Sequence, residues 1–304
     1  MRLDDAAVAH LRRVADWPEL PGDRYDVLEV IGQGGMGTVY RARDRMLERD
    51  VALKVLRPEV SGAGWATRLD HEARTLARLE HPGIVPIHDV GLLADGRVYY
   101  LMKLVRGERL DVYATTATLQ ARLRTFLRIC DTVAFAHANE VIHRDLKPSN
   151  VMVGAFGEVL ILDWGLAKVG DRASAEPGAI LGTPGFMAPE QASGAGHLAD
   201  PRTDVYALGA ILEVLAIPPD GAQPSRPLQA ISAHARATEM DERYPSAAEL
   251  ASDVARFLDG EPVRAYREPF LERLGRWYTR YQTAILLVLA YLTMRLLFLA
   301  LRGF

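Results

Sequence analysis

A single cysteine, Cys130, stands among 304 residues. One thiol excludes an internal disulfide framework and a multi-cysteine zinc site. It lies in the apolar-periodic stretch "FLRICDTVAFAHA", so an inert packed thiol is expected, in keeping with a reducing compartment. Positive charge is not in surplus either. Thirty-six Lys and Arg meet 39 Asp and Glu, a net charge of −3, so no basic field argues for a nucleic-acid partner. The N-terminus, "MRLDDAAVAHLRRVADW", has acids early and no continuous apolar core, which excludes a signal peptide. Val8, Leu11 and Val14 share one helical face. Residues 1–24 are therefore read as an amphipathic extension that rests on the domain or docks a partner. No internal repeat is visible. With 49% hydrophobic and 25% charged residues, the chain can build one large globular domain or two lobes.

The pattern changes midway. From Tyr25 to about Val105 it is strand-rich. "YDVLEVIGQGGMGTVYRARD" reads as two strands joined by a glycine cluster, and "DVALKVLRP" and "RVYYLMKLV" as further strands. Between them, "ATRLDHEARTLARLE" has helical spacing and stops at His81-Pro82-Gly83. Residues 118–138 are apolar-periodic and lack Gly and Pro, which predicts a helix. Short strands are expected at 151–153 and 159–162, and a long loop at 170–196. "DVYALGAILEVLA" has the composition of a buried helix, and Ser246 with Glu249 forms a capping box before "AAELASDVARFL". A β-rich half followed by an α-rich half is an α+β arrangement.

Candidate chemistry gathers in a few places. Gly32, Gly34 and Gly37 sit between two strands rather than before a helix. Such a hairpin lets backbone amides approach phosphate oxygens, although alone it is also an ordinary flexible turn. Lys54 interrupts a largely apolar strand. Taken alone it reads as a strand-edge charge, and Glu72 on the next helix could pair with it. "HRDLKPSN", residues 143–150, packs two cations, an acid and an amide into eight positions. In "LILDWGLAK" an apolar strand runs into Asp163, and a buried carboxylate there needs a partner.

Taken in order, "GQGGMGTVY", "VALK", an acid in the next helix, "HRDLKPSN", "DWG", "GTPGFMAPE" and "DVYALGAIL" resemble the bacterial eukaryotic-like serine/threonine protein kinases over about residues 25–258. The resemblance implies a bilobal protein kinase fold, an N-lobe at 25–105 and a C-lobe at 106–258, and the apolar composition of the tail adds a C-terminal hydrophobic helix. It further implies that Gly32, Gly34 and Gly37 cover the ATP phosphates. Val39, Ala52 and Met152 would enclose the adenine, and Lys54 with Glu72 would hold the α- and β-phosphates. Met102 would be the gatekeeper, followed by the hinge residues Lys103, Leu104 and Val105. Asp145 would accept the substrate hydroxyl proton, Lys147 would steady the γ-phosphoryl group, and Asn150 and Asp163 would hold Mg²⁺, with Mn²⁺ the alternative. Arg144 would meet a phosphate on the 163–190 segment, where Ser174 and Thr183 are candidates. Thr183 fits substrate admission better. Glu190 with Arg243, and Asp204, would be scaffold residues. Protein substrates with Ser or Thr are implied, and trans-autophosphorylation would need a homodimer. A pseudokinase and a small-molecule phosphotransferase share the fold. Intact Lys54, Asp145, Asn150 and Asp163 argue against the first, and Lys147 with "GTPGFMAPE" against the second.

Two departures stand out. Trp164 replaces the usual phenylalanine, while remaining a large aromatic able to pack near Leu76 and His143. Only 38 residues separate Asp204 from Arg243, so a helix that commonly helps dock substrates is expected to be absent or reduced to a Pro-rich loop. A charged linker at 259–283 then leads into "AILLVLAYLTMRLLFLAL", 284–301. As a helix these residues reach about 27 Å at ~1.5 Å each. Eleven are Leu, Ile, Val or Phe, against one Arg295 near the far end. Arg273, Arg276 and Arg280 on the near side would keep the kinase cytoplasmic by the positive-inside rule. A transmembrane anchor in the cell membrane is the expectation, with an interfacial or buried helix as alternatives.

Overall fold

The computed structural model describes residues 17–34, 37–57, 79–164, 185–194, 199–218, 221–267, 269, 281–283, 285–295 and 297–298. Glu72, Leu76, Ser174 and Thr183 lie outside the described residues, as do the amphipathic stretch up to residue 16 and nearly all of the helix expected at 66–80.

Among the described residues, five strands form the N-lobe sheet. β1 (Tyr25–Gly34) and β2 (Gly37–Asp44) are the two arms of the glycine hairpin. β3 (Arg49–Leu56), β4 (Ile87–Leu92) and β5 (Val98–Lys103) complete an antiparallel sheet in the order β1-β2-β3-β5-β4. Because β3 is central, both of its faces are covered. Val51, Leu53 and Val55 pack with Tyr40, Ala42, Tyr99 and Leu101, while Ala52 and Leu56 join the main core on the opposite face. Lys54 shares that second face and is 5% exposed. The strand-edge reading of Lys54 is therefore corrected. The lysine sits mid-sheet, flanked by β2 and β5, and its ammonium group must find partners there.

The C-lobe starts with β6 (Glu108–Arg109), α1 (Leu110–Thr116) and α2 (Leu119–Ala138). Thr118 caps α2 by accepting the Ala121 N–H at 3.3 Å. Leu123, Phe126, Ile129, Cys130 and Val133 bury along one stripe of the helix. Burial pushes the Cys130 thiol well above its ordinary value, as suits a packed, inert cysteine. A 3-10 turn (Pro148–Asn150) precedes β7 (Val151–Val153) and β8 (Val159–Ile161), and the sheet order is β6-β7-β8. The lobe is completed by α3 (Pro189–Ala192), α4 (Pro201–Ala216), α5 (Arg226–Ala235), a 3-10 turn (Met240–Glu242) and α6 (Ala247–Leu258).

The shortening foreseen between Asp204 and Arg243 takes a definite form. Residues 217–218 and 221–225, the described part of the α4–α5 connection, carry no helix. α5 packs directly on α4 at Gly209, where an added Cβ would come 2.7 Å from the Ala235 Cβ. The Ser232 hydroxyl donates to the Gly209 carbonyl at 3.0 Å across the same contact. At α6, Ser246 accepts the Glu249 N–H at 3.2 Å, as the capping box requires. The Glu249 carboxylate is paired with Arg264 instead. That pairing belongs to a return of the chain onto α6. The buried Asp253 carboxylate accepts the N–H groups of Arg264 at 2.7 Å and Ala265 at 3.0 Å and the Tyr244 hydroxyl at 2.8 Å, and Val263 is buried beside it.

Residues 285–295 and 297–298 are helical, and Leu286, Leu287, Val288, Leu292 and Leu297 are exposed. Among the described residues no helix is long and apolar enough to cross a membrane, so the span expected at 284–301 does not appear as one.

Candidate active site

The site is built where the two lobes meet. Lys54 from β3 contacts the Asp163 carboxylate, which follows β8 of the C-lobe. This answers what pairs with the aspartate at the end of its apolar strand. The residues stand 109 positions apart in the chain. Burial alone would lower the Lys54 pKa, but Tyr100 and Asp163 hold it above its ordinary value, so the ammonium stays charged. Asp163 has φ +59°, in the left-handed region, which short polar side chains tolerate best.

Arg144 is also left-handed, with φ +65°, and its strain is held by the surroundings. The fully buried Asp204 of α4 accepts the N–H of Arg144 and the N–H of His143, each at 2.8 Å. It also contacts His137 Nε2 at 2.8 Å, while Gln191 Nε2 donates to the Arg144 carbonyl at 2.8 Å. Burial would raise the Asp204 carboxyl pKa, but the His137 hydrogen bond and the nearby donors keep it below the usual carboxylate range. The scaffold role expected of Asp204 thus has a concrete form: it fixes two consecutive backbone amides ahead of Asp145.

The next residues follow from that brace. His143 Nδ1 accepts the Asp145 N–H at 3.3 Å, which makes Nε2 the donor to the Leu162 carbonyl at 2.9 Å. Asp145 and Lys147 lie together, Nζ to Oδ2 3.4 Å. Asn150 donates through Nδ2 to the Asp145 carbonyl at 2.9 Å, which commits its amide nitrogen to the protein. Its backbone carbonyl accepts from Leu162 N at 2.8 Å, tying the 143–150 loop to the strand that delivers Asp163. Trp164 is 5% exposed, donates its indole N–H to Ile161 at 3.1 Å, and lies 4.9 Å from His143 between ring centroids. Packing near His143 is as expected from the sequence.

The other sequence-derived residues divide. Ala52 and Met102 are buried, Val39, Val105 and Met152 half-buried, and Lys103 exposed, with its N–H bonded to the Pro86 carbonyl at 3.1 Å. Gly34 has nothing within 4 Å of an added Cβ, and Gly32 meets only Val39, at 3.8 Å. Space is therefore left for a ligand at both. Gly37 differs: its added Cβ would lie 2.2 Å from the Val55 carbonyl oxygen, so this glycine is demanded by β3. The scaffold pair is present as expected. Arg243 Nη2 lies 2.8 Å from Glu190 Oε2, and Thr203 donates to the same carboxylate at 2.9 Å.

Sequence reasoning missed Tyr100, His137, Gln191 and Thr203. Tyr100 could have been found. It is two positions before Met102 on a strand, so both share a face, and β5 pairs it with Lys54. The other three carry no signal in one sequence.

A protein kinase domain model matches residues 25–260. The chain is 34% identical over 297 residues to serine/threonine-protein kinase PknD of Chlamydia pneumoniae, covering 79% of this chain and 32% of that protein. It is 34% identical over 283 residues to PknB of Mycobacterium tuberculosis, covering 82% and 45%. The chain thus spans a third to just under half of those relatives' length. Among solved structures, the PknI kinase domain of M. tuberculosis superposes with a TM-score of 0.61 at 25% identity, covering 78% of this chain and 97% of that one. The apo form of PpkA-294 gives 0.62 at 25% identity, covering 78% and 99%. With its two lobes and its domain match over most of its length, the chain belongs to the protein kinase family, in the branch of the bacterial serine/threonine kinases.

Proposed function

We propose that this chain transfers the γ-phosphoryl group of ATP to serine or threonine hydroxyls of proteins. One observation carries the reading: Asp145 and Lys147 sit as a pair on a loop braced by Asp204, and that loop is bonded to the strand delivering Asp163 to Lys54. In the step itself, the substrate hydroxyl oxygen forms the new bond to the γ-phosphorus and the bond to the β,γ-bridging oxygen breaks. The hydroxyl proton passes to Asp145 and ADP leaves. Lys54 binds the α- and β-phosphates and Lys147 neutralises charge on the transferred group. The transition state is loose, so orientation and charge compensation supply most of the rate.

A divalent cation fits the residues present. Asn150 and Asp163 offer hard oxygen donors, and because Asn150 Nδ2 is held by the Asp145 carbonyl, its Oδ1 is the end left to face a cation. When bound, the ion supplies charge neutralisation at the phosphates. Gly32 and Gly34 give the phosphates room, Val39, Ala52 and Met152 form the adenine slot, and Met102, Lys103 and Val105 make the back wall and hinge. Glu72, Ser174 and Thr183 keep their proposed roles as ion-pair partner and segment hydroxyls. A two-copy encounter serves trans-autophosphorylation.

For residues 284–301 we propose a helix that anchors the chain in the cell membrane, with the kinase domain on the cytoplasmic side. Supporting this are the exposed leucines of 285–295 and the arginines at 273, 276 and 280. Carbonate extraction of membranes tests it: retention is expected of an anchor, and full release refutes one. Transfer of labelled phosphate from ATP to a generic protein substrate tests the activity. Absence of transfer despite ATP binding refutes it.

A further inference from the structure

Gln191 of α3 reaches the catalytic loop from 47 positions away in the chain. The residue is 9% exposed, and both ends of its amide are bonded. Nε2 donates to the Arg144 carbonyl at 2.8 Å, and Oε1 accepts the Ala188 N–H at 3.3 Å. These two partners set the orientation of the amide, because a carbonyl can only accept and an N–H can only donate. The Arg144 carbonyl belongs to the same peptide unit as the Asp145 N–H, and that N–H donates to His143 Nδ1 at 3.3 Å. Gln191 and His143 therefore hold one peptide plane, each by one of its two polar groups. α3 is itself anchored. Glu190 is bonded to Arg243 at 2.8 Å and to the Thr203 hydroxyl at 2.9 Å, and Ala188 is fully buried.

We propose that Gln191 is a positioning residue for phosphoryl transfer, which fixes the peptide carrying Asp145 and so aims the Asp145 carboxylate at the substrate hydroxyl. The inference rests on the kinase reading above. Arg144 has φ +65°, a region that a residue with a long side chain keeps only when its surroundings over-determine it. Relaxing that angle turns the 144–145 peptide and swings Asp145 with it. Three bonds oppose the turn. Asp204 holds the N–H of Arg144, His143 holds the N–H of Asp145, and Gln191 holds the carbonyl between them. Gln191 makes its bond from the end of the segment that runs from Asp163 to Glu190. Its second bond, to Ala188 of that segment, couples where the segment ends to how Asp145 is aimed. Lys54 and Asp163 are held by other contacts, so nucleotide binding does not depend on this bond.

The test uses the full chain with two substitutions. Gln191→Met keeps the length and removes both polar ends. Gln191→Glu keeps an acceptor for Ala188 and can donate to the Arg144 carbonyl only when its carboxyl is protonated. Gln191→Met is expected to lower kcat about 10-fold while ATP affinity by calorimetry stays within about 2-fold of the wild type. For Gln191→Glu, kcat relative to the wild type is expected to fall as pH rises from about 6 to about 9, because burial beside a carbonyl raises the new carboxyl above its ordinary value of about 4.3. Arg144, Glu190, Asp204 and Arg243 are the charged residues around this contact, and division by the wild-type kcat at each pH removes their own titration. A kcat for Gln191→Met within about 2-fold of the wild type overturns the proposal. So does a loss of ATP affinity as large as the loss of kcat, which would mark a purely structural role, and so does a flat ratio for Gln191→Glu. If thermal melting shows Gln191→Met unfolded, the Gln191→Glu profile decides, and unfolding of both overturns the proposal. A wild-type chain that binds ATP and transfers no phosphate refutes the kinase reading itself, an outcome separate from these.

Discussion

Arg243 offers the sharpest test of how a C-lobe of this reduced size is held together. Its guanidinium side chain is fully buried, and all five of its N–H donors are used. Nε donates to the Ala237 carbonyl at 2.8 Å. Nη1 donates to Glu190 at 2.9 Å and to the Arg202 carbonyl at 3.1 Å. Nη2 donates to Glu190 at 2.8 Å and to the Thr238 carbonyl at 3.1 Å. The Tyr206 ring lies 5.1 Å away. Arg243→Met strips these bonds and leaves the Glu190 carboxylate buried with Thr203 as its remaining bonded side chain. Breaking one side of a buried pair costs about 3–5 kcal/mol, a third or more of a typical domain's stability. Arg243→Lys can replace three donors at most and should cost roughly 2–3 kcal/mol. The double variant Glu190→Gln/Arg243→Met should be more stable than Arg243→Met alone, since the orphan charge is gone. Urea denaturation of the full chain followed by circular dichroism measures these variants beside the wild type and Glu190→Gln alone, which completes the cycle. A loss below about 1 kcal/mol for Arg243→Met, or strict additivity in the double variant, would refute the reasoning.

Three further outcomes follow from the same packing. Asp204→Asn keeps the shape but cannot accept three donors, so it should cost about 2–3 kcal/mol and lower kcat; wild-type kcat in steady-state assay would contradict the brace. Gly209→Ala gains helix propensity but drives a Cβ to 2.7 Å from Ala235 and 2.8 Å from Arg236, and should lower the urea midpoint by the equivalent of about 1–3 kcal/mol. Glu190 and Asp204 are both held below the ordinary carboxylate range, Glu190 against burial by its Arg243 bonds. Their contribution to stability is therefore present above the unfolded values of about 4.3 and 3.9, and is lost as pH falls through the folded values. Urea midpoints should drop below about pH 4, less steeply in Glu190→Gln, and a pH-independent midpoint there would contradict this.

Much of the site was legible because phosphoryl-transfer chemistry uses few residue types in fixed local order. "HRDLKPSN" and "DWG" announce themselves as strings, and the structure sets His143 against Trp164 and bonds Asn150 to Leu162, the residue before Asp163. The elements were legible where periodicity is strong, as in α2 with its unbroken apolar stripe. Legibility failed where partners are distant or burial is partial. β4 is a half-exposed edge strand, "IHDVGL", whose weak alternation gives no clear strand signal. Lys54 reads locally as a misplaced charge, since its justification, Asp163, comes 109 residues later. Gly37 belongs to the phosphate motif by string, yet the Val55 carbonyl explains it. The return of residues 261–266 onto Asp253 was hidden in a stretch read as a charged linker, because its bonds are backbone donors that composition does not encode.

The central claim is that Asp145 serves phosphoryl transfer at this site. The direct measurement is transfer of labelled γ-phosphate from ATP to a generic protein substrate by the full chain, beside Asp145→Asn, with ATP affinity measured for both. The account predicts transfer by the wild type, equal ATP binding, and a loss of about 100-fold or more in the variant. Undiminished transfer by Asp145→Asn, or no transfer by a wild type that binds ATP, would contradict it.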